Sequence, residues 1–173
     1  MKHTARHHRA ALMSAFVMAL SGHVSVVAAA GNAASPAHST QKAKVAHMTS
    51  ESKTRVASLL KAIETGETAP VSAINPNKYI QHNLAVADGL SGFGAVLQAL
   101  PKGSARVNTV RIFQDGDFVF AHTEYDFFGP KIGFDIFRFE DGRIVEHWDN
   151  LQPTPAAPNP SGRTMTDGPT TPG

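Results

Sequence analysis

The 173-residue chain contains no cysteine, which excludes disulfides, thiolate metal sites and thiol nucleophiles. Its first thirty residues contain no acid. Lys2, Arg6 and Arg9 are three of the 16 basic residues, and without them 13 face all 14 acids, a net of −1. The apparent basicity therefore belongs to the N-terminus, and the rest of the chain has no electrostatic case for binding nucleic acid or an anionic membrane. No apolar run beyond the N-terminal thirty residues is long enough to span a bilayer. Several catalytic signatures are also missing. There is no G-x-S-x-G and no P-loop, and Gly89, Gly92 and Gly94 do not form a dinucleotide fingerprint after a strand.

What is present starts with an export pattern. A basic stretch from Lys2 to Arg9 precedes an apolar run from Ala10 to Ala30 that ends in Ala28-Ala29-Ala30, an A-x-A cleavage pattern. The expectation is a signal peptide over 1–30, cleavage near Ala30, and a periplasmic or extracellular protein that is not membrane-bound after processing. Ser21, Gly22, His23 and Ser25 interrupt the run and argue against a retained anchor. Residues 31–48 read by composition as a flexible spacer.

The folded domain is expected over 49–152. Thr49 or Ser50 is placed to cap a helix whose apolar stripe is Val56, Leu59, Leu60 and Ile63, with Gly66 as its stop. Pro70 and Pro76 limit the next stretch to a short turn of helix. Tyr79-Ile80-Gln81 suits a short strand. Asp88 is placed to cap a second helix, with Leu90, Phe93, Val96, Leu97 and Leu100 on one face and Pro101 at its end. Asp115-Gly116, Gly129-Pro130 and Asp141-Gly142 then cut the remainder into strands near 105–114, 117–127, 131–140 and 143–150. Helices followed by a meander give an α+β fold in which the helices cover one face of the sheet. The tail 153–173 is rich in Pro, Gly, Thr and Ala, which reads as extended or disordered.

Strand parity then sorts the side chains. Phe118, Phe120, His122 and Glu124 share one face of their strand. Gly133, Asp135, Phe137 and Phe139 share a face of the next, and Val145, His147 and Asp149 of the last. Ile144, Glu146 and Trp148 fall opposite. Both faces are largely apolar, which points to helices on one and a second subunit on the other, with Trp148 assigned by parity with Ile144 to the subunit face. His122, Asp135, His147 and Asp149 stand out against that background. A carboxylate among aromatics loses hydration and gains proton affinity, which makes it a general acid or base near neutral pH. Each residue also has a purely structural reading: Asp135 paired with Arg138 or Arg111, His147 as a hydrogen-bonded core histidine, Asp149 as a turn cap. His82 lies in Tyr79-Ile80-Gln81-His82-Asn83, a segment suited to a pocket rim. A two-His, one-carboxylate metal set could be drawn from His82, His122, His147, Asp135 and Asp149, but no metal-ligand spacing falls on one element, so no metal is expected.

The segments KYIQHN, DGLSGFGAVLQAL, QDGDFVFAH and above all FDIFRFEDGRIVEHWDNLQPTP closely resemble the SnoaL-like (polyketide cyclase-type) family of the NTF2-like superfamily, over about Lys53 to Pro155. The tail segment NPSGRTMTDGP extends the resemblance and implies a tail that packs. The resemblance implies a cone-shaped barrel, a curved antiparallel sheet wrapped over N-terminal helices around a ligand pocket, commonly a homodimer, and no cofactor. It implies Asp135 as the acid/base of an aldol closure, with His122 on the preceding strand assisting. His82 and His147 would then line the pocket, and the residue pattern adds Tyr79 and Asp149 as contacts to the substrate, a small apolar or carbonyl-containing molecule. Leu84 stands where the family usually has proline after Gln-His-Asn. A non-catalytic binding or assembly module, and a hydrolase or dehydratase, are the alternatives on this scaffold.

Overall fold

The computed structural model describes residues 36–100 and 103–171, so the expected signal segment and cleavage site lie outside the described residues. The first helix, α1, runs from Pro36 to Thr65. It therefore starts well before Thr49 and Ser50, which lie within it and do not cap it, and most of the segment expected as a spacer is helical. The cause is local. Pro36 suits a first helical position, and no glycine or further proline interrupts the chain until Gly66. The extension has no apolar face to bury, and the side chains described over 39–48 are exposed, so a search for periodicity passes over it. The packed half follows expectation: Val56, Leu59 and Leu60 are buried. Gly66 ends the helix at φ 73°, its N–H bonded to the Ala62 carbonyl.

A 3-10 turn over Ala69–Ala73 leads to the two-residue strand β1, Ile80–Gln81. The second helix, α2, spans Gly89–Ala99. Asp88 precedes it without making a cap bond; its carboxylate instead accepts the Gln81 N–H at 2.8 Å. Four long strands follow: β2 (Arg106–Asp115), β3 (Phe118–Asp126), β4 (Pro130–Glu140) and β5 (Arg143–Pro153). The sheet order is β1-β5-β4-β3-β2. The meander is antiparallel as expected, but β1 pairs parallel to β5, so the sheet is mixed.

The helices lie on the inner face. Val56, Leu59 and Leu60 of α1 and Phe93 of α2 join Val119, Ala121, Tyr125, Phe137 and Phe139 in one core. A bulge at Val145 interrupts simple parity on β5. Phe139 pairs with Ile144 whereas Arg138 pairs with Glu146. Ile144 is consequently a core residue with no exposure. Trp148 lies on the outer face, paired with Ile136, and the bulge separates it from Ile144, which faces the core.

The tail is ordered against β2. Arg111 donates from Nε to the Pro169 carbonyl at 2.8 Å and from Nη2 to the carbonyls of Thr166 and Asp167 at 3.2 and 2.6 Å. Thr171 bridges to β2, and Thr166 Oγ1 donates to Glu124 at 2.6 Å. The composition of the tail hides this because these bonds use tail backbone and hydroxyls, not apolar side chains.

Candidate active site

The inner face encloses a cavity of about 370 Å³ between the sheet and both helices. Its walls are apolar, including Leu59, Leu60, Ile63, Phe93, Val96 and Phe127. One end is polar, lined by Tyr79, Gln81, Asn83, Tyr125, Asp135, His147 and Asp149. Strands β4 and β5 place Asp135 directly opposite Asp149, and Phe137 opposite His147, in an antiparallel ladder. Both carboxylates therefore line the same cavity.

Asp135 is 3% exposed. Its Oδ2 accepts the Tyr125 hydroxyl at 2.8 Å, and its Oδ1 lies 3.3 Å from His147 Nε2. Tyr125 reaches it because Gly133 leaves room: a Cβ there would stand 2.5 Å from the tyrosine ring. Burial pushes the Asp135 pKa up, against the lowering effect of bonds from His147 and Tyr125, and the Asp149 charge adds to the rise. Burial likewise raises the Tyr125 and Tyr79 hydroxyls, with the two carboxylates contributing.

The tautomer of His147 follows from the hydrogen-bond network. Gln81 Oε1 accepts the Asn83 backbone N–H at 3.0 Å, which fixes the amide orientation. The same oxygen lies 3.0 Å from His147 Nδ1, so Nδ1 carries a hydrogen and donates it. Nε2 then faces Asp135 Oδ1, and one proton lies between them, on the acid or on the imidazole. Asp149 is half-buried, and Asn83 Nδ2 donates to its two oxygens at 2.9 and 2.7 Å. Tyr79 is 4% exposed. Its oxygen accepts from Gln81 Nε2 at 3.5 Å, while its own proton goes to no acceptor among the described residues.

Two sequence-derived site residues fall elsewhere. His122 pairs with Phe134 across the ladder while its neighbour Ala121 pairs with Asp135, so His122 occupies the opposite face of the sheet from Asp135. It stacks on Phe134, and its Nδ1 lies 3.1 Å from Arg111 Nη1. Burial first, then the Arg111 charge, lowers its pKa. The histidine beside Asp135 is His147. His82 also points outward, stacked on Trp148 at 4.7 Å and bonded to Glu146 Oε1 at 2.9 Å. The reason is the alternation of an extended segment: Tyr79, Gln81 and Asn83 face inward, and Ile80 and His82 face out. Gln81 and Asn83 are thus site residues that the choice of His82 missed, although period two applied to 79–83 would have selected them. The Leu84 side chain is fully exposed, and the loop is held by Asn83 Oδ1 accepting the Ala85 N–H.

Asp135, His147 and Asp149 each bring a potential ligand atom within 4.8 Å of the others. This set can hold a proton or a cation. It has one histidine and two carboxylates, not the two histidines and one carboxylate drawn from the sequence, because His82 and His122 lie on the other face of the sheet.

No family model and no curated protein matches the chain. Solved structures do. An NTF-2 like protein of unknown function from Burkholderia xenovorans LB400 superposes with a TM-score of 0.53 at 15% identity, covering 64% of this chain and 89% of that one. An LEH-like epoxide hydrolase from M. tuberculosis gives 0.51 at 20% identity, over 60% and 84%. A proposed polyketide cyclase from Bacillus cereus ATCC 10987 gives 0.51 at 17% identity, over 59% and 74%. The chain has the α+β fold of these NTF2-like structures, and at these identities the likeness carries the fold alone.

Proposed function

We propose that this protein is a cofactor-independent acid–base enzyme acting on a small carbonyl compound. The observation that carries the reading is a buried carboxyl, Asp135, bonded to His147 and Tyr125 at the polar end of an apolar cavity. Its raised proton affinity suits it to accept a proton from carbon. In the forward step the C–H bond adjacent to the carbonyl breaks and its proton passes to the Asp135 carboxylate. The electron pair moves onto the carbonyl oxygen, which receives a hydrogen bond from the Tyr79 hydroxyl. Asp135 then returns the proton, either to another carbon, as in an isomerase, or to the alkoxide formed when the enolate attacks a second carbonyl, as in an aldol cyclase. His147, held by Gln81, keeps the proton available. The test is exchange of α-hydrogens of a panel of small ketones and β-dicarbonyls for solvent deuterium, followed by NMR. The wild type should catalyse exchange, and a folded Asp135→Asn protein should not. Equal exchange by that variant would refute the role and leave a binding module.

Two further readings accompany this one. We infer a homodimer through the outer face, where Phe113, Phe118 and Phe134 are 40–48% exposed beside Phe120, Ile136 and Trp148; such a patch favours burial against a like surface. We also infer export, on the residue pattern of 1–30; a mature N-terminus that retains those residues in the native host would sink it.

A further inference from the structure

The polar end of the cavity has an excess of negative charge and of hydrogen-bond acceptors. Asp135 and Asp149 sit directly across the β4–β5 ladder, a placement of like charges that is destabilising in itself. No lysine or arginine lines the cavity among the described residues. Each carboxylate offers about four lone-pair sites. Against these stand the Tyr125 hydroxyl on Asp135, one amide nitrogen of Asn83 on Asp149, and His147 Nε2 when it is protonated. Tyr79, Tyr125, Phe93 and Phe137 add aromatic rings to the wall. A ligand that completes this site brings donors and positive charge to the carboxylates, with a single acceptor for the Tyr79 hydroxyl. A protonated amine has three N–H donors, no acceptor, and an affinity for aromatic faces. A carboxylate or phosphate would meet the Asp149 carboxylate with no lysine or arginine of the cavity wall to offset it. The volume, near the lower end of the range for ligand pockets, limits the ligand to a compact one.

We propose that the substrate is a compact amino-carbonyl compound whose ammonium seats on Asp149 while its acidic C–H faces Asp135. The inference rests on the acid–base reading above and adds the charge of the substrate to it.

The test is binding of an isosteric trio to the full chain near neutral pH, by calorimetry or ligand-observed NMR: benzylamine, benzyl alcohol and benzoate. Benzylammonium should bind at least about tenfold more tightly than the alcohol, as one desolvated charge contact warrants, and benzoate should not bind. An Asp149→Asn protein with wild-type circular dichroism should bind amine and alcohol within about twofold, since the amide keeps the shape and loses the charge. Benzoate binding as tightly as the amine, an amine no better than the alcohol, or a preference that survives Asp149→Asn would overturn the proposal. A parallel titration with Zn²⁺ and Mg²⁺ tests the competing occupant. Tight metal binding that displaces benzylamine and is lost in Asp149→Asn would make this a metal site and overturn the amine reading. Deuterium exchange into uncharged ketones is scored separately. Exchange without ammonium preference refutes only the ammonium seat on Asp149, whereas preference without exchange refutes the acid–base reading, and with it the C–H facing Asp135, and leaves an ammonium-binding cavity.

Discussion

Replacing Tyr125 by Phe removes one oxygen from the structure and one donor from Asp135. The ring is 4% exposed and the carboxyl 3%, so the 2.8 Å bond between them is formed away from bulk water. When Asp135 is ionised the bond is charge-assisted, and its loss should cost about 1.5–3 kcal/mol. When Asp135 is protonated the bond is between neutral groups and its loss should cost about 0.5–1.5 kcal/mol. The destabilisation should therefore grow with pH. At about 2–4 °C per kcal/mol for a chain of this size, thermal melts of wild type and variant across a pH series resolve the trend. The same bond lowers the proton affinity of Asp135, so in Tyr125→Phe the acid limb of the deuterium-exchange profile should move to higher pH. A cost that is flat with pH, together with an unmoved acid limb, would show that the tyrosine fills space and does not tune the carboxyl.

Other outcomes follow from the same geometry. Gly133→Ala should cost about 1–3 kcal/mol by overpacking, because the new Cβ would meet the Tyr125 ring at 2.5 Å and Leu151 at 2.8 Å; unchanged stability and exchange would mean the ring does not depend on that gap. Asp135→Asn should flatten the pH dependence of stability. The raised folded pKa of Asp135 means the native state binds more protons than the unfolded chain above about pH 4. Its contribution is thus fully present below that pH and is lost as pH rises through the folded pKa. The variant should gain on the wild type in urea melts as pH rises, and a constant difference refutes the assignment. Acidification should loosen the tail. His122, faced by Arg111 and Glu124, has a lowered pKa, so the stabilisation is present above about pH 6.5 and is lost as pH falls through the depressed folded value. A protonated ring offers Arg111 no acceptor and adds a like charge to the group that clamps the tail. Hydrogen exchange of residues 164–171, corrected for intrinsic rate, should accelerate on acidification in the wild type and lose that dependence in His122→Phe; unaltered protection refutes the link. Phe118→Glu should give a monomer in sedimentation velocity if the outer face forms the dimer, and a monomeric wild type would refute the dimer.

The meander was legible in the sequence because its signals are local. Asp115-Gly116 and Asp141-Gly142 both mark turns, with Gly116 and Gly142 at positive φ, and apolar alternation marks the strands between them. The buried acid was legible too, since Asp135 lies among Gly133, Phe137 and Phe139. Its partner was not. Alternation along one strand sorts side chains into two groups but does not say which group on the next strand shares their face. That depends on register, which here pairs Ala121, not His122, with Asp135. The Val145 bulge has the same effect on Ile144, because one extra residue reverses the face of what precedes it. The exposed side chains described over 39–48 of α1 and a tail bonded through its backbone leave no hydrophobic pattern to read.

The division of the sheet into two faces explains the distribution of its histidines and acids. On the outer face charge is neutralised within the protein: Glu146 takes bonds from His82 and from Arg138, and Glu140 from Lys78 and Arg138. On the inner face it is not, because two aspartates share a cavity with one histidine and no basic residue among those described. Like charges directly opposite on neighbouring strands are destabilising, and this pair is only partly offset, by Asn83 on Asp149 and by Tyr125 and His147 on Asp135. One proton shared by Asp135 and His147 relieves part of that repulsion, and the charge left on Asp149 is the basis of the proposal that a cationic group enters the cavity.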